Sequence, residues 1–271
     1  YWTSVIHKKI RVIQVAKYCD KINQLVPGGE PHIVRQIPAP PGESRDREGV
    51  IAKSKVQFQF SQKENGEGRK YLENLGMAPE EPYVCLIGRD AAYKKSISDD
   101  LGKDWSYHDF RNTEIIHCKE MALELTRRGY WVIRMGKVAE HRFDTGSEMV
   151  IDYANRADKN DFLDIWIMAN CRFCVSNGTG LDSITDAFHI PIVDVDYLPL
   201  VHIVSYNRSL TVPKKLFWVD SGEMLTMREH LLHSYFSTSE YTSAGIRVQD
   251  LDSVEITHAV IEMEERLSGR W

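Results

Sequence analysis

The stretch Arg172-Phe173-Cys174-Val175-Ser176-Asn177-Gly178-Thr179-Gly180, followed by a helical run that stops before His189-Ile190-Pro191-Ile192-Val193, decides how this chain is read. From Phe162 to Val195 the order is buried helix, strand, glycine-bounded turn, helix, strand. A turn that leaves a strand and opens a helix points unpaired backbone N–H groups at one spot, and the helix dipole adds partial positive charge there. Gly178 and Gly180 carry no Cβ, so a ligand can approach the backbone, while Ser176 and Thr179 offer hydroxyl donors. Together with Asn177 these residues form a candidate phosphate turn. A tight strand-to-helix connection without a ligand accounts for the same residues.

Upstream of this turn the pattern alternates. Tyr83-Val84-Cys85-Leu86-Ile87 is a continuous apolar run, as expected of a strand buried on both faces. An amphipathic helix follows over Thr113 to Arg128, with Thr113 as N-cap and Gly129 as C-cap. Tyr130 to Met135 is the second strand, Met149 to Asp152 a short third, and Asn160 to Ala169 a helix. Strands alternating with helices predict a parallel sheet with crossover helices. Beyond the glycine turn, Asp194-Val195-Asp196 reads as the start of a loop, and helices are predicted over Gly222 to Tyr235 and Leu251 to Leu267, the latter capped by Asp250 or Asp252.

The N-terminal part differs. Trp2 to Leu25 shows helical spacing broken by Pro27-Gly28-Gly29, and Pro31 to Gly68 reads as a proline-rich, charged linker or domain edge closed by the flexible turn Gly66-Glu67-Gly68. A short helix over Arg69 to Leu75 is stopped by Gly76. The expected division is a helical and linker region over residues 1–80 and a unit of alternating strands and helices over 81–271. The first residue is Tyr1 rather than Met, with a helical run starting almost at once, so an upstream part of a longer protein is expected.

In 271 residues, 34 basic against 39 acidic side chains give a net charge of −5, which argues against a general nucleic-acid binder. No apolar stretch reaches the roughly 20 residues that span a bilayer, and no signal-peptide pattern opens the chain. A cytoplasmic protein is expected, and a peripheral position at the inner face of a membrane or within a multidomain assembly is compatible with that. Five cysteines, an odd number within apolar segments, fit reduced thiols. Cys171 and Cys174 lie in strand-like sequence rather than at a helix N-terminus, against a redox or zinc role.

In an open parallel sheet, ligands bind beyond the carboxyl ends of the strands. The first strand ends in Gly88-Arg89-Asp90, the second in Arg134-Met135-Gly136-Lys137 and the fourth in the glycine turn, so Arg89, Arg134, Gly136 and Lys137 could share one anion, and Arg89, Arg111 and Arg134 are expected to converge near the same strand ends. Solvated charges and structural ion pairs are the alternative for each. The long loop Ala91 to Asn112 ends with His108, Asp109 and Arg111: an exchangeable proton near neutral pH, a carboxylate that could orient it or act as base, and a phosphate-holding cation. Loop capping explains His108 and Asp109 as well. Asp194-Val195-Asp196 has the Asp-X-Asp form of metal-dependent sugar transferases, but a loop start explains it better, and no metal site or cofactor is expected. Lys214 could meet phosphate, and Glu223 or Glu229 could accept ribose hydroxyls.

The ordered string Arg89-Asp90, Tyr107 to Asn112, Val132 to Gly136, Asp152-Tyr153-Ala154 and Asn177 to Gly180 resembles a glycosyltransferase family found in bacterial surface-polysaccharide gene clusters, over roughly Pro31 to Arg266. More distantly, the glycine turn with Ala187 to Val193 is similar to the donor half of GT-B transferases such as heptosyltransferases, where a diphosphate sits on such a turn. Arg89 resembles in placement the essential arginine of GT-B fucosyltransferases, although their pair of adjacent arginines is absent around it. The resemblance implies an α/β fold with a Rossmann-like parallel sheet of GT-B type and helical additions at both ends. It implies transfer of a sugar from a nucleotide-sugar donor to a glycan or lipid-linked acceptor, without a metal, with Arg89 on the β-phosphate. Residues 1–80 would then be the remnant of an acceptor domain. A pyruvyl or phosphosugar transferase on the same fold, and a non-catalytic glycan- or nucleotide-binding module of a larger polymerase, are the rival readings.

Overall fold

The computed structural model describes residues 18–29, 50–90, 92, 106–203 and 208–271. Among them the strands are β1 (Tyr83–Ile87), β2 (Trp131–Met135), β3 (Val150–Ile151), β4 (Cys174–Ser176), β5 (Ile192–Tyr197), β6 (Ser209–Pro213), β7 (Lys215–Trp218) and β8 (Ile246–Gln249). The helices are α1 (Cys19–Asn23), α2 (Val50–Lys53), α3 (Gln62–Asn74), α4 (Lys119–Arg127), α5 (Asp161–Asn170), α6 (Ser183–Phe188), α7 (Met227–Leu232), α8 (Thr238–Ser243) and α9 (Ser253–Ser268).

The protein is an α/β fold around a six-stranded sheet of order β3-β2-β1-β4-β5-β6, every neighbouring pair parallel. Strands β1 and β2 are buried along their whole length, because helices cover both faces. Alternate strand residues feed two cores. Cys85, Ile133, Cys174 and Ile192 meet Leu72 of α3, Leu163 and Trp166 of α5 and Ile184 of α6 on one face. Val84, Val132, Val175 and Val193 meet Met121 and Leu125 of α4 and Ile256 and Val260 of α9 on the other. The chain runs outward from β1 to β3, then returns to β4 on the opposite side of β1. That reversal leaves a crevice beyond the carboxyl ends of β1 and β4, where such sheets hold ligands.

A smaller core sits apart from the sheet. The antiparallel pair β7 and β8 joins Tyr241 of α8, and Phe110, Leu198, Leu216, Leu225 and Ile246 pack there. Phe110 belongs to a 3-10 turn over Ser106–Arg111, so this core anchors the segment that carries Arg111. The sequence pattern shows none of β6, β7 and β8, and their partial exposure explains the weak apolar signal.

Several expected boundaries move. Gly66-Glu67-Gly68 is no turn: α3 begins at Gln62 behind the capping box of Ser61 and Glu64 and runs through it. A Cβ on Gly68 would stand 2.1 Å from the ring of Trp166, so the glycine lets α3 lie directly on α5. Thr113 caps no helix, since its hydroxyl donates 2.5 Å to Asp196, and a 3-10 turn over Ile115–Cys118 precedes α4. Asp194 and Asp196 open no loop, because both lie inside β5. The helix expected over Gly222 to Tyr235 contracts to Met227–Leu232 behind a second capping box, of Thr226 and Glu229. The C-terminal helix matches its expectation closely, with Asp252 as N-cap. Residues 1–17 and 30–49 of the expected N-terminal helix and linker, and 91 and 93–105 of the long loop, lie outside the described residues.

Candidate functional site

The glycine turn, the end of β1 and the Ser106–Arg111 turn meet beyond the sheet. The backbone N–H of Arg89 donates to Asn177 Oδ1 at 3.0 Å, and Asn177 Nδ2 donates to the carbonyl of Arg111 at 3.0 Å. Asn177 is 1% exposed and so ties three distant segments together. Both arginine side chains then donate to one acceptor, the Gly178 carbonyl: Arg89 Nη1 at 3.4 Å and Arg111 Nη2 at 2.7 Å. Among the described residues no carboxylate forms an ion pair with either guanidinium. Their buried Nε atoms have no hydrogen-bond partner there. Burial, then the like charge of Arg111, pulls the Arg89 guanidinium down to about 10, and burial lowers Arg111 as well. Both remain charged at neutral pH. The opposite charges near them, Asp182 beside both and Asp109 beside Arg89, form no ion pair with either, so the two adjacent cations could receive a multiply charged anion.

Gly178 makes this approach possible. Its φ of +80° disfavours any side chain, and a Cβ there would lie 3.1 Å from Arg111 Nη2 and 3.1 Å from the ring of Tyr197. Arg89 and Arg111, far apart in sequence, thus lie together in space.

The turn itself differs from its expectation. Asp182 takes its polar donors: the Ser176 hydroxyl donates to Asp182 Oδ2 at 2.7 Å and the Thr179 N–H at 2.6 Å. The helix behind it, α6, has only six residues. The Ser176 hydroxyl and the Thr179 N–H are thus committed to holding the turn, and the full positive charges come from the arginines. Thr179 Oγ1 is buried without a partner among the described residues.

Other expected site residues do not join the pair. Arg134 is 1% exposed inside β2, donates to the His141 carbonyl and pairs with Asp152 at 3.4 Å and Asp90 at 3.8 Å. It braces the 141–152 loop instead of facing an anion. Lys214 is buried against the Asn112 carbonyl and Asp250. Glu223 is exposed next to β7, and its carbonyl accepts from the Trp218 N–H at 2.9 Å. The His108 ring packs 3.9 Å from that of Tyr107, and Asp109 Oδ1 accepts from Asn112 Nδ2 at 3.0 Å. Asp109 lines a separate cavity of about 280 Å³ with Asp90 and Thr113. Cys171 and Cys174 are buried free thiols, and burial holds Cys174 well above the usual thiol range.

Two chambers flank the arginines and share Arg89, Thr179 and Gly180 as their common wall. One, of about 540 Å³, has the apolar walls Ile87, Val138 and Leu181, together with Gly136 and Lys137. Lys137 is exposed there and pairs with Asp161 at 2.8 Å. The other, of about 470 Å³, is lined by Arg111, Asp182, Thr185, Asp186, Asp194 and Tyr197, among others. Asp194 is the residue that the sequence pattern undervalues. It sits on β5 in register with Ser176, is 5% exposed, and has no hydrogen-bond partner among the described residues. Burial, with Asp182 and Asp186 nearby, pushes its carboxyl up to about 8. Asp196, by contrast, accepts from Thr113 and from the Leu251 N–H at 2.7 Å and is structural. Among the described residues no group of three His, Cys, Asp or Glu side chains is arranged to hold a metal ion.

No family model and no curated protein matches the chain. Two solved structures are similar to it in part. One is the ADP-heptose LPS heptosyltransferase II of E. coli, at 15% identity and a TM-score of 0.43, matching 77% of this chain and 54% of that one. The other is a glycosyl transferase family 9 protein from Veillonella parvula DSM 2008, at 8% identity and a TM-score of 0.45, matching 78% and 53%. The chain spans about half the length of each.

Proposed function

We propose that this chain binds the diphosphate of a nucleotide-sugar donor between Arg89 and Arg111 and serves in transfer of the sugar to a glycan or lipid-linked acceptor. The observation that carries the reading is the pair of guanidiniums converging on the Gly178 carbonyl, without a carboxylate partner, at the crevice beyond β1 and β4. A departing nucleoside diphosphate gains negative charge as the glycosidic bond breaks. Fixed cations in a partly desolvated cleft stabilise that charge, and removing one such group typically costs about a hundredfold to a thousandfold in rate. The arginines supply what a divalent ion would supply elsewhere, so the transfer is read as metal-independent and should persist in a chelator. The apolar chamber at Ile87, Val138 and Leu181 suits the flat face of a nucleobase.

His108 and Asp109 are not carried forward as the base, because neither lines the two chambers that contain Arg89; Asp109 lies in the adjoining cavity past Gly88 and Asp90. The base and the acceptor site belong, in this reading, to a facing half or partner, in the manner of a two-lobed cleft at the membrane surface where polysaccharide is built.

Calorimetric titration with inorganic pyrophosphate and with a set of nucleoside diphosphates tests the reading. The wild type should bind, Arg89→Ala should lose at least tenfold in affinity, and Arg89→Lys should recover little, because the planar fork is lost. Unchanged pyrophosphate affinity in the Arg89→Ala, Arg111→Ala double variant would overturn it. Binding without turnover towards any acceptor would favour a non-catalytic nucleotide-binding module.

A further inference from the structure

A buried carboxyl without a partner is costly, and native structures retain such groups where something else satisfies them. Asp194 is such a group: it is 5% exposed, has no hydrogen-bond partner among the described residues, and forms part of the wall of the roughly 470 Å³ chamber. We infer that this chamber is the subsite for the sugar end of the donor, that Asp194 is its hydrogen-bonding anchor to a ring hydroxyl, and that the sugar is neutral rather than acidic. The inference rests on the diphosphate reading of Arg89 and Arg111, and it deepens that reading by assigning a substrate class.

The chemistry of the walls selects the ligand. Asp182, Asp186 and Asp194 all line the chamber, with Thr185 and Tyr197. A second anion beyond the phosphates would face the acidic side chains of Asp182 and Asp186 and gain nothing there that a neutral ring does not. A base would forgo the apolar walls of the neighbouring chamber. A polyhydroxylated ring suits the chamber, since each hydroxyl donates and accepts and so does an un-ionised carboxyl. Burial, Asp182 and Asp186 keep Asp194 largely in that form at neutral pH. The other charged or titratable groups around it are Cys174 on the neighbouring strand and, on the same chamber, Tyr197, His202 and the guanidiniums of Arg89 and Arg111. The position also follows from the shared wall: a diphosphate on Arg89, Thr179 and Gly180 has one end towards each chamber.

The test uses phosphates that carry no base, on the whole chain. Affinities are measured for inorganic phosphate, for the 1-phosphates of glucose, galactose and mannose, and for glucuronic acid 1-phosphate. In the wild type at least one neutral sugar 1-phosphate should bind about tenfold more tightly than inorganic phosphate, and glucuronic acid 1-phosphate should show no such gain. Asp194→Leu should abolish the gain while leaving inorganic phosphate affinity within twofold, and Asp194→Asn, which keeps a donor and an acceptor, should retain part of it. If Asp194→Leu does not fold, Asp194→Ala serves in its place.

No gain for any neutral sugar, a gain that survives Asp194→Leu, or an equal loss for phosphate and sugar phosphate would each overturn the subsite. Failure of the diphosphate reading is separately visible, as phosphate affinity indifferent to Arg89→Ala, and the subsite falls with it.

Discussion

Arg89 and Arg111 meet at one carbonyl oxygen without an ion pair to either among the described residues, so an anion should do more for this fold than fill a hole. Saturation with a ligand that binds only the native state raises its stability by about 2.7 kcal/mol at a hundred times Kd. Pyrophosphate at that level should therefore raise Tm measurably in the wild type and little in Arg89→Ala. Gly178→Ala should lower stability by about 1–2 kcal/mol, since it forces a side chain into a left-handed backbone. It should also weaken pyrophosphate binding by pressing on Arg111.

Asp194 makes a pH-dependent prediction. Its native carboxyl titrates near 8 and its unfolded one near the ordinary ~3.9, so the native state binds the extra proton between those values. Stability must then fall as pH rises through that window and flatten above it. Asp194→Asn lacks the term, so its advantage over the wild type should grow between pH 5 and pH 8.5, to on the order of a few kcal/mol. Asp182, Asp186 and Cys174 interact with Asp194, so the comparison reads the response of the whole cluster, with the loss of the Asp194 proton as its largest part. Urea denaturation of both proteins at the two pH values checks this, and parallel behaviour would remove the case for a raised carboxyl.

At the level of the elements, α3 and α5 touch through Gly68 and Trp166. Gly68→Ala would gain helix propensity in isolation yet must push the indole aside, and overpacking of this kind costs about 1–3 kcal/mol. A lower denaturation midpoint would confirm that the glycine serves packing, and a higher one would show that the helices can part freely. The same contact shows why a sequence alone misplaces this helix. Two glycines two residues apart signal a turn locally, and only the ring on another helix explains the second.

Strands β1 and β2 were legible because burial on both faces leaves an uninterrupted apolar run, whereas β6 to β8, half exposed, leave none. The convergence of Arg89 and Arg111 beside the glycine turn was legible from their places at the strand ends, but the single carbonyl on which they meet was not. Arg134 shows the converse, since a strand-end cation in the sequence turns inward to Asp152 in the fold. The Asp194-Val195-Asp196 motif was visible and its chemistry was not: two carboxyls two residues apart differ completely in partners, one bonded to Thr113 and Leu251 and the other to none among the described residues.

On the scale of the molecule, the small core around Phe110 and Tyr241 couples a region remote from the sheet to the anion site. Phe110 lies next to Arg111 in sequence, its N–H donates to Thr238 Oγ1 at 3.3 Å, and its ring packs 5.2 Å from that of Tyr241. Phe110→Ala should destabilise this unit by about 3–5 kcal/mol. It should also weaken pyrophosphate binding, although Phe110 lines neither chamber. Loss of stability with unchanged affinity would show that Arg111 is held by Asn177 and Gly178 alone. Among the described residues no helix is long and apolar enough to cross a membrane.

The strand order has one more implication, for the moment at which the site comes into being. β1 and β4 are neighbours in the sheet, yet β2, β3 and their helices separate them along the chain. Pairings of high sequence separation form late, because loop-closure entropy is lost before the contact is gained. Arg89 reaches Gly178 only when β1 has found β4, so affinity should be among the last properties to emerge during refolding. A stopped-flow experiment would see helical signal recover first and pyrophosphate binding trail it, and a growing chain on the ribosome would remain blind to its ligand until β4 had cleared the exit tunnel.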